Sequence, residues 1–288
     1  MFSHQKHFDH FQIHTLADDA GNLLSVVPER GAIISRFEIA GKAIFYLDQD
    51  SLNDTSKNVR GGNPVLFPIC GPLSGGTCQI DGNTYAMKQH GFARNLAWQV
   101  IEENETSESA SICLELTSND TTRLQYPFDF SVKFTYKLTP KGLTILQRYE
   151  NLSKTTMPFY AGFHPYFVAP KKQAVNLEVD ADEYDDFLTK KTFPVEKIIN
   201  FDAGTETNGA FHNVRGNKVV FSNFGQDQTI EITFQEPYKH IVIWALKDKP
   251  FICVEPWMGL NNSLNTGESV FHLDSGAVLE TAVSFNVL

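Results

Sequence analysis

The chain has 288 residues, 42% of them hydrophobic and 20% charged, with a formal net charge of −10. Such a length suits one large domain or two ordinary ones, and the acidic excess excludes a non-specific nucleic-acid binder, which needs a basic face. No stretch approaches the roughly 18 apolar residues of a helical membrane span, and Cys70, Cys78, Cys113 and Cys253 have neither the density of a disulfide framework nor the spacing of a zinc knuckle.

At the N-terminus His4, His7, His10 and His14 recur at spacings that would fit a helical face or a metal-binding tail. Asp9 is the one acidic neighbour at matching spacing, so an exposed first strand or frayed end is expected instead. The same segment lacks the apolar run of a signal peptide, and with reduced thiols a cytoplasmic protein is expected. Ala20-Gly21-Asn22 and Ala40-Gly41-Lys42 are turn signals, and the polar stretch 50–58 reads as a surface loop. Arg60-Gly61-Gly62-Asn63-Pro64 follows it, then the turn Asp81-Gly82-Asn83, then His90-Gly91-Phe92-Ala93-Arg94. The stretch 102–109 reads as a second surface loop.

Period-two alternation then dominates. Ile112, Leu114 and Leu116 alternate with Cys113 and Glu115. Phe128, Phe130, Val132, Phe134, Tyr136 and Leu138 alternate with Asp129, Ser131, Lys133, Thr135 and Lys137, which predicts a strand with one buried and one wet face. The turn Pro140-Lys141-Gly142 leads into a β-rich run over 143–149. Further on, Ile230, Ile232 and Phe234 alternate with Glu231 and Thr233, and 240–246 is more continuously apolar, as a central strand would be. No window shows a helical stripe, an internal repeat or a linker. The fold class expected is all-β, one large antiparallel β-sandwich forming a single domain over 1–288.

Chemistry concentrates in two late segments. Phe163-His164-Pro165-Tyr166-Phe167 surrounds one imidazole with aromatic surface, and burial there would tune it for acid-base work near neutral pH. A core histidine bonded to a carbonyl is the plain alternative. Glu255 follows the apolar run Phe251-Ile252-Cys253-Val254, where an unpaired carboxylate is costly. It either pairs with an arginine or faces a ligand, its pKa raised toward that of a useful base. Trp257 offers an indole face for the C–H face of a sugar ring. Arg60 and Arg94 are suited to hydroxyls or phosphate, or to surface ion pairs, and His90 sits at a turn.

These segments in this order resemble the aldose 1-epimerases (mutarotases) of the galactose-mutarotase-like superfamily, near the glucose-6-phosphate 1-epimerase branch. The resemblance runs from Gly31-Ala32-Ile33-Ile34-Ser35 through 58–68, 89–95, Met157-Pro158-Phe159 and 162–167 to Val254-Glu255-Pro256-Trp257. It implies an open sugar-binding cleft without metal or organic cofactor. Glu255 would be the general base and His164 the general acid, with His90, Arg60 and Arg94 as sugar contacts. The family also places a hydroxyl-binding aspartate between acid and base, often after a Glu-Thr pair. Here Glu206-Thr207 is followed by Asn208, so either Asn208 substitutes as a neutral partner or Asp202 serves.

The expected partner is a small-molecule sugar or sugar phosphate, with no nucleic acid or membrane, and the expected state a monomer or weak dimer. Two rivals stay open. A β-sandwich glycoside hydrolase would need a second carboxylate, for which the solvent-type run 180–186 is the candidate. A non-catalytic carbohydrate binder or sensor would need no acid-base pair.

Overall fold

The computed structural model describes residues 1–196 and 198–288 and is built almost wholly of antiparallel sheets. A nine-stranded sheet runs in the order Ile198–Ile199, Val175–Val179, Lys218–Ser222, Ile230–Phe234, Val278–Val287, Gly142–Asn151, Phe130–Thr139, Ala110–Thr117 and Gln99–Glu105. Facing it is an eight-stranded sheet. Its path is Lys191–Pro194, Glu183–Asp186, Glu206–Phe211, His240–Leu246, Phe251–Trp257, Gly162–Phe163 and Val65–Leu66, with Tyr166–Val168 paired to Phe251–Trp257. A five-stranded sheet of the first 43 residues packs beside them. Helices among the described residues are single short turns such as Gln49–Asn53.

Side-chain alternation explains how the sheets close on one another. Phe130, Val132, Phe134, Tyr136 and Leu138 are fully buried, as are Ile112, Leu114, Ile230 and Ile232. They meet Phe163, Phe167, Ile241, Ile252 and Val254 from the opposing sheet in one contiguous hydrophobic cluster. The run 240–246 is indeed central, with partners on both sides. Tight turns fall where glycine marked them: Asp81 and Gly82 both have positive φ (49° and 77°). That is the primed geometry that joins Thr77–Ile80 to Asn83–Ala86 without splaying them.

Several local expectations are corrected. The stretch 102–109 is no loop throughout, because Gln99–Glu105 is an edge strand of the nine-stranded sheet. It lacked alternation because an edge strand exposed on both faces has no side to make apolar. The stretch 50–58 begins in the helix Gln49–Asn53, whose first turn is capped by the Asp48 carboxylate accepting from the Ser51 N–H. The strand expected from Phe128 starts at Phe130. The N-terminal histidines lie on the hairpin Ser3–Asp9 and Phe11–Ala17, the first strand largely exposed as expected. The run 180–186 includes the strand Glu183–Asp186, and Arg215 pairs with Asp180 and Asp182 at the surface.

Candidate active site

The outer face of the eight-stranded sheet carries the site. Antiparallel register sets Val242 opposite Glu255, His240 opposite Trp257, and Asn208 opposite Trp244. Successive side chains point to opposite faces of a strand. The neighbours Ile241, Ile243 and Val254 therefore go to the core, while Glu206, Asn208, Val242, Trp244, Glu255 and Trp257 line a common cleft. Its volume is about 390 Å³. Gly162 pairs with Trp257 and delivers His164 to the same floor. The segments carrying Arg60, His90 and Arg94 form the walls. Residues separated by nearly 200 positions thus converge on one hollow.

Glu255 and His164 form its chemical centre. His164 Nε2 lies 3.4 Å from Glu255 Oε1, and the Trp257 indole N–H donates to Glu255 Oε2 at 3.1 Å. Burial pushes the Glu255 carboxyl well above its usual range, against weaker downward pulls from the Trp257 N–H and Arg94. Burial also drives the His164 imidazole down to about 3, and the Arg94 and Arg60 guanidiniums add to the effect. Its ring stacks on Tyr166 at 4.8 Å and meets Trp244 edge-on at 5.7 Å. Its Nδ1 is buried without a hydrogen-bond partner. Low dielectric favours an uncharged pair, imidazole beside carboxylic acid, and so one proton between two groups.

His90 is held in the left-handed region (φ 68°) by a reciprocal bond with Gly71. Its backbone N–H donates to the Gly71 carbonyl, and the Gly71 N–H donates to His90 Nδ1, both at 3.0 Å. Burial, with help from Arg94, keeps this ring neutral. With Nδ1 accepting, the proton of the neutral ring sits on Nε2, 3.0 Å from the Gln89 side-chain amide, whose oxygen is the atom that can accept it. His90 therefore presents a donor to the cleft wall. Arg94 donates to the Gln89 carbonyl at 3.0 Å and leaves its buried Nε unpartnered. Arg60 lies over the Trp244 ring, 5.6 Å from its centroid.

All seven residues expected at the site line the cleft, with two changes. Trp257 is 3% exposed, so it offers no open face; Gly162 and His90 crowd it, and its indole N–H is turned to the Glu255 carboxyl. Trp244, half-buried beside His164, lines the cleft with Arg60 over its ring. Asp202 is also ruled out as the missing carboxylate, because it pairs with Lys172 at 3.2 Å and accepts from Gln173 away from the cleft. Asn208 is in place, and beside it stands Glu206, which sequence reasoning passed over. Glu206 Oε1 accepts from the Trp244 indole at 2.8 Å and from the Asn208 amide at 3.2 Å. The signal was available in strand periodicity: 206 and 208 share a face, whereas Thr207 turns away toward an apolar hollow.

The four cysteines are free thiols, and burial raises Cys253 next to the pair. His164, Cys253 and Glu255 do offer ligand atoms within 4.8 Å of one another, but Arg60 and Arg94 repel a cation there.

Comparison with known proteins agrees with this architecture. Residues 12–279 match the aldose 1-epimerase family. The Slr1438 protein of Synechocystis sp. PCC 6803 is 36% identical, with a TM-score of 0.94, over 97% of this chain and 96% of that one. Protein LacX of Lactococcus lactis is 25% identical over 72% of this chain and 77% of its own length. A galactose mutarotase-like protein of Clostridium acetobutylicum shares the fold at 17% identity, with a TM-score of 0.85 over 100% of this chain and 98% of that one.

Proposed function

The chain belongs to the aldose 1-epimerase family, and from that premise we propose that it interconverts the α and β anomers of an aldohexose or hexose 6-phosphate, with residues 1–288 acting as one domain. The observation that carries the proposal is the buried pair of Glu255 and His164, 3.4 Å apart on the floor of an open polar cleft. In ring opening, Glu255 takes the proton of the C1 hydroxyl while His164 donates one to the ring oxygen. The open chain turns about C1–C2. On reclosure His164 regains its proton from the C5 hydroxyl, and Glu255 returns the other to O1.

The electrostatics suit this cycle. With the open-chain aldehyde in place the pair is neutral, carboxylic acid and imidazole, which is the state that burial favours. The charged pair that precedes ring opening is supported by its own attraction at 3.4 Å and by Arg94 beside the carboxylate. No metal or organic cofactor enters these steps. His90 Nε2–H, Asn208 and Glu206 provide donors and an acceptor for sugar hydroxyls, and Trp244 a surface for the ring's C–H face.

Arg60 and Arg94 support a sugar phosphate, since guanidinium groups grip phosphate oxygens in pairs and the buried Arg94 Nε has no protein partner. Two-dimensional NMR exchange between anomers tests the activity, run with glucose, galactose and glucose 6-phosphate at equal enzyme. Exchange above the uncatalysed rate is expected, with kcat/KM larger for the phosphate. Binding without exchange would support the sensor reading, and cleavage of an aryl glycoside the hydrolase. Equal kcat/KM for glucose and its 6-phosphate would remove the phosphate assignment alone.

A further inference from the structure

Far from the cleft, the N-terminal hairpin carries a second convergence of ligating groups. In the register of Ser3–Asp9 against Phe11–Ala17, His4 lies opposite Leu16 and Lys6 opposite His14, so His4, Lys6, His14 and Leu16 share one face. That face turns inward: the His4 and His14 side chains are only 5% and 6% exposed. Their rings stack at 5.2 Å, and His4 Nε2 lies 3.2 Å from His14 Nδ1. Glu103, on the edge strand Gln99–Glu105 of the nine-stranded sheet, reaches them from a different sheet. Its Oε1 is 3.3 Å from His14 Nδ1, and its Oε2 is 3.3 Å from His4 Nδ1.

We propose that His4, His14 and Glu103 form a site for a first-row divalent transition metal of the Zn²⁺ class, which fastens the N-terminal hairpin to the edge of the large sheet. One ligand atom from each of the three lies within 4.8 Å of the others. A tetrahedral centre with metal–ligand bonds of about 2.0–2.1 Å sets its ligand atoms about 3.3–3.4 Å apart. The His4–His14 and His14–Glu103 separations already match that edge. Two imidazoles and a carboxylate suit zinc, nickel or copper in preference to calcium or magnesium, and three protein ligands leave a fourth position for water. The Lys6 ammonium, 2.8 Å from Glu103 Oε1, is the group the metal displaces. Half-exposed on a flexible stem, it can swing into solvent.

Without metal, one of the two facing imidazole nitrogens must carry a proton for their 3.2 Å approach to be attractive. Metal binding therefore replaces shared protons, and affinity should fall with acidification. The hairpin's outer strand is held chiefly by its pairing with Phe11–Ala17, so a bridge to Glu103 should show as added thermal stability.

The test uses tag-free, chelator-stripped protein. Zn²⁺ affinity is measured by calorimetry against a competing chelator, and Co²⁺ coordination by its visible d–d absorption. One metal per chain is expected, with a tetrahedral-type Co²⁺ spectrum and a Tm that rises with Zn²⁺. His14→Gln and Glu103→Gln should each weaken binding by at least the roughly 10–100-fold that loss of even an outer partner costs. Both should abolish the Zn²⁺-dependent rise in Tm, with circular dichroism and anomer exchange unchanged. A His7→Gln/His10→Gln double variant should bind like wild type. Binding that survives in His14→Gln, or follows His7 and His10, would mean an adventitious surface contact and overturn the proposal. Binding lost in Cys253→Ser would place the metal in the cleft and overturn it equally.

Discussion

Glu255 shows how much a single residue's environment decides. In water its carboxyl would ionise near 4.5; buried beside His164 and Trp257, it keeps its proton well above that value. His164 needs acidity near 3 to gain a second one. The pair therefore carries one proton across the neutral range. Raising the pH removes it through the elevated carboxyl, and lowering the pH adds another only near the acid extreme. Enzymatic kcat/KM is accordingly expected to hold level from neutrality down through the ordinary carboxylate range and to fall on the alkaline side. Glu255→Gln should lower kcat by about 10²–10⁴-fold with KM little changed, and its residual activity should lack that alkaline limb. An acid limb centred near 4.5 in the wild type would contradict the one-proton pair. Trp257 acts through Glu255, by donating to the ionised carboxylate. In Trp257→Phe that bond is absent, so kcat should drop by about 10- to 150-fold, as for the loss of a charge-assisted bond of about 1.5–3 kcal/mol. The alkaline limb should move to higher pH. A Trp257 that merely filled space would leave the limb where it was.

Strands and turns set these side chains at working distance. The strand Phe251–Trp257 is buried along its whole length, and its alternation divides the labour. Ile252 and Val254 pack in the core while Glu255 and Trp257 face the cleft. Gly162 allows the neighbouring strand to lie against it, for a Cβ there would stand 2.5 Å from Cys70 Sγ and 2.8 Å from the Trp257 ring. Its backbone is not in the left-handed region, so the constraint is purely one of space. Gly162→Ala should cost about 1–3 kcal/mol of stability through overpacking, read as a lower urea midpoint. By shifting Trp257 and the adjoining His164 it should also lower kcat more than it raises KM. A variant with wild-type kinetics and stability would show that the strand pair can give way freely. Element boundaries were partly legible beforehand. The alternating runs became strands because one face of each meets the core. The edge strand Gln99–Glu105 reads as a loop because its residues are mostly exposed, which leaves no alternation in the sequence.

At the scale of the whole molecule, the sandwich shields three neutral histidines: His90, His164 and His240 all have depressed pKa values, through burial first, the last two to about 3. In the unfolded chain each titrates near 6.5, so between about 6.5 and 3 the unfolded state binds more protons, and stability must fall as pH falls through that window. Glu255 contributes with the opposite sign, since its stabilising effect is complete below 4.5 and declines as pH rises through its elevated pKa. Three groups outweigh one, and the unfolding free energy from urea titrations is expected to decrease steadily from pH 6.5 to pH 4. A flat profile would mean that these rings gain their protons without unfolding. What the sequence by itself determined is what local periodicity and chain order encode: an all-β chain, its principal strands, and the pairing of a histidine and a glutamate in apolar surroundings as candidate acid and base. Tertiary structure alone decided which groups meet. Asp202 is drawn to Lys172 and Glu206 enters the cleft in its stead; Trp257 turns from platform to support; and Glu103 reaches two histidines nearly 100 residues earlier in the chain. Contacts of that kind depend on register between strands distant in sequence, and register is fixed by packing across the whole core, which no single segment contains.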